Sequence, residues 1–504
     1  MRTRYFGWKV ALALVLWFWG LLPLSASPWA EAGDNRLRAD IELLQSAGVI
    51  EDITTQWPLP WSSLLGDLSQ VDLDRQPAAI RMAAERVLAR AQAATARGTS
   101  AWASADATNK PNVVYGFDGM GRGEGQAQLS VEGTDGAFSG RVSLGAFTNN
   151  FTTTSVPQPA GAIQGYFFGS NTKLMPDGTY GSVRLGDVRL YAGYLDHWWG
   201  PGNISALSLS NNARPMPQVG IERADTRASS WPVLNWLGPW QFEFLLGYLD
   251  GPRLMPNTYY NAARFVIHPF NGFEMGVSRT EEFCGDGHPC SPLKDYFHFS
   301  NNPNSIDNVN DEATWDVKYS HTLGGIPFQA YLQLMNEDYS WFNHSGTSHL
   351  FGLSAFLPAP ENPVRLTVEF SDSIATLHPF SFGSNIYGFS YTNGQYLDGM
   401  RYRGRTLGFS LDDDSTLLTL QGSWSDADGR FYELSFHHAT IGDSHSVGAN
   451  IVSTTPVLLN LGEARVSLPW NDWKIDLAGR LQDDQPRPHR GFAASAEIAL
   501  RAPL

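Results

Sequence analysis

Most of this chain, from about Asn112 onward, alternates apolar and polar residues with a period of two. This pattern predicts β-strands with two different faces, and we count sixteen to twenty such runs. In the run VRLTVEF, residues 364–370, apolar residues alternate with Arg365, Thr367 and Glu369. Because charged side chains are costly in lipid, we expect Arg365 and Glu369 to line the inside of a barrel.

No segment after residue 26 approaches the roughly 18 apolar residues that mark a transmembrane helix. A closed β-barrel is the other structure that satisfies its backbone hydrogen bonds inside lipid. We therefore predict an all-β fold, a large antiparallel transmembrane β-barrel over residues 111–504. The 49 glycines, 12% aromatic and 17% charged residues of the full chain fit a barrel, but a soluble β-sandwich or propeller would share much of this composition.

Residues 27–110 instead show the spacing of a small N-terminal α-helical domain. Its helices contain few large apolar residues, so we expect them to dock on the periplasmic mouth of the barrel. The expected helices run from an N-cap at Asp34 to Gly48, from a cap at Ser62 or Ser63 to Leu68, and from Pro77 to Gly98.

The first 26 residues resemble a secretory signal peptide, with a basic start, an apolar stretch at 10–22 and small residues at 25–27. A single N-terminal membrane anchor is the alternative. The formal net charge is −15, and removal of three basic residues with the signal leaves −18. Such an acidic chain is a poor general binder of nucleic acid, and its net charge would not hold an anionic polysaccharide.

The two cysteines, Cys284 and Cys290, flank a short Gly- and Pro-containing segment. In an exported protein this predicts a disulfide within a loop. Two free thiols are the alternative, and a metal site with His288 has unusual spacing for zinc.

Turn composition divides the connections between strands into two kinds. Short acidic links at 412–414 and 426–429 are typical of tight turns. Long irregular stretches at 283–311, 336–347 and 373–403 are expected to be extracellular loops.

The most distinctive segments are WWGPG at 198–202, SNNARP at 210–215 and RYRGR at 401–405. Together with residues 27–40, these segments resemble the Wzi-type capsule assembly proteins of Gram-negative outer membranes. The resemblance covers most of the exported chain. It implies a barrel of about eighteen strands with a helical domain at its periplasmic end. It also implies a surface lectin that binds capsular or extracellular polysaccharide and helps to anchor it.

The rival interpretations are a passive porin for small solutes and an outer-membrane hydrolase. We find no G-x-S-x-G, H-E-x-x-H or Gly-rich phosphate motif, so we predict that the protein is not an enzyme and needs no cofactor. We expect a monomer in contact with outer-membrane lipid and lipopolysaccharide.

Aromatic rings stack on sugar faces and arginines bind carboxylates with two hydrogen bonds, so these residue types give the candidate ligand-binding set. Structural roles are the alternative, with Trp in an interfacial girdle and Arg paired with acids in the lumen. Oxygen atoms of 307–311 could also bind calcium, but no fixed-spacing EF-hand loop is present, so a plain solvated loop is favoured and we predict no metal site. The candidate residues are Trp198, Trp199, Arg214, Tyr296, Trp341, Arg401, Arg403 and Arg405.

Overall fold

The sheet of this protein closes on itself. Eighteen long strands each pair antiparallel with their neighbours in sequence, and the last strand pairs with the first. The computed structural model describes residues 27–504 except 119, 149–155, 159–160, 164–171, 233, 251–252, 289, 291–308, 338–345, 360–361 and 444–449. The predicted antiparallel barrel of about eighteen strands is therefore confirmed, whereas the signal peptide over 1–26 lies outside the described residues.

The barrel strands are numbered in chain order. They are β1 (Gly98–Thr108), β2 (Gly125–Thr134), β3 (Phe138–Thr148), β4 (Tyr180–Leu185), β5 (Val188–Gly193), β6 (Gln218–Arg223), β7 (Trp240–Tyr248), β8 (Thr258–Phe270), β9 (Phe273–Cys284), β10 (Val309–Leu323), β11 (Ile326–Glu337), β12 (Thr347–Leu357), β13 (Val364–Thr376), β14 (Thr416–Ser425), β15 (Phe431–Ile441), β16 (Val457–Trp470), β17 (Trp473–Gln482) and β18 (Ala493–Pro503).

Several short strands accompany the barrel. Thr172–Met175 extends the sheet beside β3, and Asn385–Ile386 beside β13. The remaining short strands form separate pairs, namely Trp29–Ala30 with Leu59–Pro60, Gln56–Trp57 with Trp198–Trp199, Val156–Gln158 with Gly161–Ile163, and Arg401–Tyr402 with Arg405–Thr406.

Alternation along each strand separates an apolar outside from a polar inside. In β13, Leu366 and Val368 are 45% and 46% exposed on the outer face, where lipid would cover them. Arg365 and Glu369 are 5% and 1% exposed and face the lumen, as predicted. The outer face is thus suited to lipid, and the inner face holds the charged groups.

The two ends of the barrel differ. At one end, which we call the short-turn end, the strands are joined by tight connections such as 271–272, 426–430 and 471–472. The predicted turn at 426–429 is therefore confirmed. Aromatic rings surround these turns, including a stacked Phe270–Phe273 pair with centroids 4.7 Å apart. The opposite end, the loop end, carries the long connections. In the described part of the chain no helix is long and apolar enough to cross a membrane.

From residue 27 onward, three α-helices precede the barrel: α1 (Asn35–Ser46), α2 (Trp61–Leu68) and α3 (Ala78–Thr95). The predicted N-cap is confirmed, since the Asp34 carboxylate accepts the Leu37 N–H at 2.9 Å. The predicted serine cap of α2 is wrong. That helix begins at Trp61 directly after Pro60, with no side-chain cap.

The predicted boundary of the helical domain at residue 110 is also wrong. Gly98–Thr108 forms β1 and pairs with both β2 and β18. Its sequence, GTSAWASADAT, places small residues on both faces, so its alternation gives little signal.

Helix α1 enters the short-turn end of the lumen, where it is bonded to the barrel wall. We call α1 and residues 54–57 the helix layer. Glu42 of α1 is ion-paired with Arg365 of β13. Gln45 donates to the Glu274 carboxylate of β9 at 2.5 Å. Polar contacts between wall and helix therefore fill this half of the lumen.

The loop end is filled by two connections that fold inward, residues 194–217 and 389–411. We call their packing against the wall the loop layer, and its core is apolar. Its wall residues include Leu245, Tyr260, Leu350 and Leu417, each at most 1% exposed.

The predicted tight turn at Asp412–Asp414 is wrong, because all three carboxylates are buried inside the connection that follows β13. Arg401 donates to Asp412 at 2.9 Å and balances part of their charge. Burial of a carboxylate requires such a partner, which turn composition alone does not reveal.

Candidate functional site

The WWGPG segment lies inside the lumen, between the helix layer and the loop layer. Trp198 is 1% exposed, and its ring N–H donates to the Gly202 carbonyl at 2.9 Å. Trp199 is fully buried in the loop layer. Gly202 permits this packing, because a Cβ there would lie 2.0 Å from the Ser205 carbonyl oxygen. Neither ring can stack on a sugar here, so both tryptophans are structural, although in the lumen rather than in an interfacial girdle.

The RYRGR segment forms a small hairpin at the loop end. Its turn residues, Arg403 and Gly404, both have left-handed backbone conformations, with φ of 49° and 80°. Arg401, before the turn, points inward to Asp412 and is 1% exposed. Arg401 is therefore a buried structural residue and does not reach the mouth of the barrel, whereas Arg403 does.

Four arginines meet at the loop end and define what we call the mouth cluster: Arg122, Arg214, Arg403 and Arg405. The hairpin supplies two of them, and the SNNARP segment supplies Arg214. The two segments are joined directly, because Arg405 donates to the Asn212 side-chain carbonyl at 2.9 Å and Asn212 donates to the Thr406 carbonyl at 2.9 Å.

Carboxylates hold three of these guanidinium groups in place. Arg122 donates to Asp196 at 2.8 Å. Arg214 pairs with Asp177 at 2.7 Å and lies 3.7 Å from the centre of the Phe147 ring. These contacts fix the orientation of both side chains.

Arg122 and Arg403 are the two more exposed members of the cluster. Arg403 lies at the turn of the hairpin. It donates to Asp250 at 2.8 Å, and its Nε donates to the Tyr402 hydroxyl at 2.9 Å. The side chains of Arg403 and Asp250 are 10% and 27% exposed, so solvent reaches this pair.

The mouth cluster concentrates positive charge in an otherwise acidic protein. Within the described part of the chain, carboxylates pair with Arg122, Arg214 and Arg403, and the exposed Lys173 lies beside Arg403. Burial, together with the neighbouring Arg122 and Arg214, lowers the pKa of Arg405. Burial and the neighbouring Arg122 and Arg403 lower the pKa of Arg214 in the same way. An anionic group placed here would relieve this repulsion.

Of the predicted ligand-binding residues, the structure brings Arg214, Arg403 and Arg405 together. Tyr296 and Trp341 lie outside the described residues and stay predictions. Arg122 was missed, because its MGRGEG context at 120–125 carries no recognisable signal.

Cys284 and Cys290 form a disulfide beside this mouth, with their Cα atoms 4.4 Å apart. The Tyr396 hydroxyl donates to the Cys284 carbonyl at 2.8 Å and ties this connection to the loop layer. Among the residues that the structure describes, no three His, Cys, Asp or Glu side chains are placed to hold one metal ion. Asp307 and Asn308 of the possible calcium loop lie outside those residues.

A closed barrel with an even number of antiparallel strands, an apolar outer face and aromatic rings at its rim is an outer-membrane protein. Its filled lumen separates it from open channels of the same size. The chain belongs to the capsule assembly protein Wzi family, whose model matches residues 95–483.

Two proteins illustrate the likeness. Wzi from Escherichia coli, described as an outer-membrane, carbohydrate-binding β-barrel involved in group 1 capsule assembly, superposes with a TM-score of 0.79 at 20% identity, over 95% of this chain and 100% of that one. An uncharacterized 55.8 kDa protein in the cps region of Klebsiella pneumoniae is 28% identical over 346 residues. That match covers 68% of this chain but only 64% of the relative, which is less than two thirds of its length.

Proposed function

We propose that this protein is an outer-membrane lectin that binds secreted polysaccharide and helps to assemble or anchor capsule or exopolysaccharide on the cell surface. Family membership supports this function, as does the carbohydrate binding described for the Escherichia coli protein. On this proposal the short-turn end and its helices face the periplasm, and the loop end faces outward.

The filled lumen is the single observation that carries the proposal against a porin. The helix layer and the loop layer stack along the same lumen, and the short strand Trp198–Trp199 of one pairs with Gln56–Trp57 of the other. A porin needs a continuous aqueous path, whereas a binding protein needs only an exposed loop surface. We therefore expect the purified protein to conduct poorly in planar bilayers, and a steady large conductance would favour the porin.

We further propose that the mouth cluster is part of the binding surface and contacts carboxylate-bearing sugars. Guanidinium groups form paired, charge-assisted hydrogen bonds with carboxylates. Arg403 is well placed for this contact, because it lies at the turn of the hairpin and its existing partner Asp250 is at the solvent boundary. The acidic chain would then attract an acidic polymer only at this local patch.

The test is binding of the refolded full-length barrel to immobilised surface polysaccharide of the host strain, with unrelated neutral polymers as controls. The variant Arg403→Gln should bind about tenfold more weakly, since loss of one charge pair is worth about 1.4 kcal/mol. Arg430→Gln is the matched control, because Arg430 is an exposed arginine in the turn at the opposite end.

Three results bear on this proposal. Selective binding that weakens in Arg403→Gln and survives in Arg430→Gln supports both lectin and site. Equal weakening in both variants contradicts the mouth cluster as the site. Absence of binding by folded protein, with or without calcium, contradicts the lectin itself.

The remaining parts of the proposal concern state and partners. We propose that the protein acts by binding rather than catalysis, works as a monomer, and contacts outer-membrane lipid and lipopolysaccharide along its apolar outer face. A closed sheet leaves no free strand edge to pair with a second copy, which supports the monomer. Mass measurement in lipid nanodiscs tests the oligomeric state.

A further inference from the structure

The connection between β6 and β7, residues 224–239, differs from the other turns at the short-turn end. It is far longer than the turns at 271–272 or 471–472, and it exposes two large aromatic side chains. Trp231 and Trp236 are 61% and 69% exposed. So much exposed indole needs an explanation, because Trp normally covers at least part of its ring.

The inner part of this connection is fixed to helix α2. The Ser62 hydroxyl donates to the Ala224 carbonyl at 2.7 Å, and the Ser63 hydroxyl accepts the Thr226 N–H at 2.8 Å. The two serines expected to cap α2 thus hold this connection instead. The segment that carries the tryptophans follows this fixed part and is exposed.

The connection leads directly into the aromatic residues that surround this end of the barrel. Trp240, the first residue of β7, faces outward with its ring 5.9 Å from that of Phe265. The Arg223 guanidinium lies 4.1 Å above the Trp240 ring. Trp470 and Trp473 occupy the same end of the barrel, with centroids 6.1 Å apart. Trp231 and Trp236 are thus close in sequence to an aromatic girdle, and indoles of such girdles sit among lipid headgroups.

A polar cavity of about 560 Å³ opens beside the same connection. Its charged lining consists of two arginines and four carboxylates. Arg223 pairs with Asp187 at 2.8 Å and Arg227 with Asp225 at 2.6 Å. The two further carboxylates give the cavity an excess of two negative charges, and the full charged lining is Glu51, Asp67, Asp187, Arg223, Asp225 and Arg227.

We propose that residues 224–232 and 234–239, together with α2, form a phospholipid-binding site, in which Trp231 and Trp236 enter the adjacent leaflet and the cavity takes a headgroup bearing a primary ammonium. An ammonium has three N–H donors and complements the excess carboxylates of Glu51 and Asp67. The adjoining lipid phosphate would lie near Arg227, whose side chain is 49% exposed. The inference rests on the proposed outer-membrane location but not on polysaccharide binding.

The first test measures membrane depth at the connection. Both native cysteines are in the disulfide, so an added cysteine is the one free thiol. A spin label at Asn235→Cys, between the tryptophans, is compared with one at Asp428→Cys in the turn 426–430. The protein is placed in nanodiscs of phosphatidylethanolamine and phosphatidylglycerol, and relaxation of each label is measured with oxygen, which enters the bilayer, and with a nickel chelate, which stays in water. Oxygen should relax the label at position 235 severalfold more than the chelate does. The label at position 428 should instead be relaxed more by the chelate.

The added substitutions Trp231→Ser and Trp236→Ser should move the Asn235 label toward the aqueous response. A label at Asn235 that is as water-accessible as the one at Asp428 in the otherwise unchanged protein would overturn the membrane contact. Heat-modifiable migration of each variant in electrophoresis confirms that the barrel is folded.

The second test identifies the headgroup. Native mass spectrometry of the protein released from nanodiscs of mixed phosphatidylethanolamine, phosphatidylcholine and phosphatidylglycerol should show retained phosphatidylethanolamine. The pair Glu51→Gln and Asp67→Asn should reduce that adduct about tenfold or more, and Asp428→Asn should leave it unchanged. If the pair does not fold, Asp67→Asn alone is used, because Asn still accepts the Glu51 N–H that Asp67 accepts at 3.1 Å.

Equal retention of the three lipids, or an adduct unaffected by the cavity variants, would overturn the ammonium site. Polysaccharide binding is measured on the same samples at the loop end. Loss of the lipid adduct with normal polysaccharide binding, or the reverse, shows which of the two proposals fails.

Discussion

The helix layer and the loop layer fill the same lumen by different means. The side chains of the helix layer bond charged groups of the wall, as in Glu42 with Arg365 and Gln45 with Glu274. The side chains of the loop layer pack on apolar wall residues such as Leu245 and Leu350. The inner face of the wall is therefore not uniformly polar. At each level of the lumen, the wall carries side chains that suit the segment packed against it.

The difference follows from what each segment brings. Helix α1 satisfies its own backbone, so its polar side chains are free to bond the wall. The inward loops carry proline and glycine turns whose backbone groups are bonded by polar side chains, and their apolar residues then pack together. One wall carboxylate illustrates this, since Glu369 accepts the N–H groups of Asn203 at 2.5 Å and Ser205 at 2.8 Å. A loop can therefore be buried where its backbone finds such acceptors.

The largest effect is expected from Glu274→Ala in the helix layer. Glu274 accepts from Gln45 and Thr54 and pairs with Lys318 at 3.2 Å. Its removal leaves the Lys318 ammonium, 1% exposed, without that partner, so the free energy of unfolding should fall by about 3–5 kcal/mol. Urea unfolding of the refolded barrel measures this loss.

Amide hydrogen exchange should show that the loss begins in α1 and residues 54–57 of the Glu274→Ala variant. Asp428→Ala, in an exposed turn, is the control and should change stability little. A loss below about 1 kcal/mol in Glu274→Ala would mean that charges do not hold the helix layer.

A smaller effect is expected from Leu350→Ala in the loop layer. Leu350 is fully buried and packs closely on Gly202. A Cβ built on that glycine would lie only 2.8 Å from the Leu350 Cδ1 atom. Truncation leaves a cavity and should cost about 3 kcal/mol, with faster exchange in residues 194–217. Leu353→Ala is the matched control, because Leu353 lies on the same strand but is 52% exposed on the outer face. Equal losses in the two variants would show that the loop layer adds nothing to the wall.

The smallest effect is expected from Asp34→Ala at the start of α1. The variant loses the cap on Leu37 and the ion pair with Arg90 at 2.5 Å, so it should be destabilised by about 1 kcal/mol at pH 7. Burial opposes ionisation, but Arg90 and Lys474 outweigh it and hold the pKa of Asp34 well below its usual value.

A group with a lowered pKa in the folded state stabilises above its unfolded pKa, which is about 4 for Asp. The difference between the native protein and Asp34→Ala should therefore shrink as the pH falls below about 4. Urea midpoints at pH 7 and pH 3 measure it. A difference that grows at low pH would contradict the sign of this linkage.

The amino-acid sequence predicts most of the wall, because the barrel strands after β1 carry their own alternation, whereas β1 does not. The alternation of 364–370 correctly places Arg365 inside, and Asp34 caps α1 as its position suggests. Local rules suffice for both residues. The Asp34 side chain bonds Leu37, only three residues away, and Arg365 faces inward because its apolar neighbours face the lipid.

The contents of the lumen were harder to predict. WWGPG and Asp412–Asp414 have the composition of exposed turns, and only their distant partners, such as Trp57 and Arg401, bury them. The mouth cluster likewise joins Arg122 to Asn212 and Arg405 through contacts between remote segments. No local pattern contains that information.

The pairing of β1 with β18 also sets an order of assembly. At this seam the Thr108 hydroxyl donates to the Ala496 carbonyl at 3.0 Å, across 388 residues of chain. Neighbouring hairpins close short loops, whereas the seam closes nearly the whole barrel, so it has the largest loop-closure entropy of any strand pair. We expect the seam to be the last register established. The helices and inward loops would then already be in place, and the wall would close around its contents.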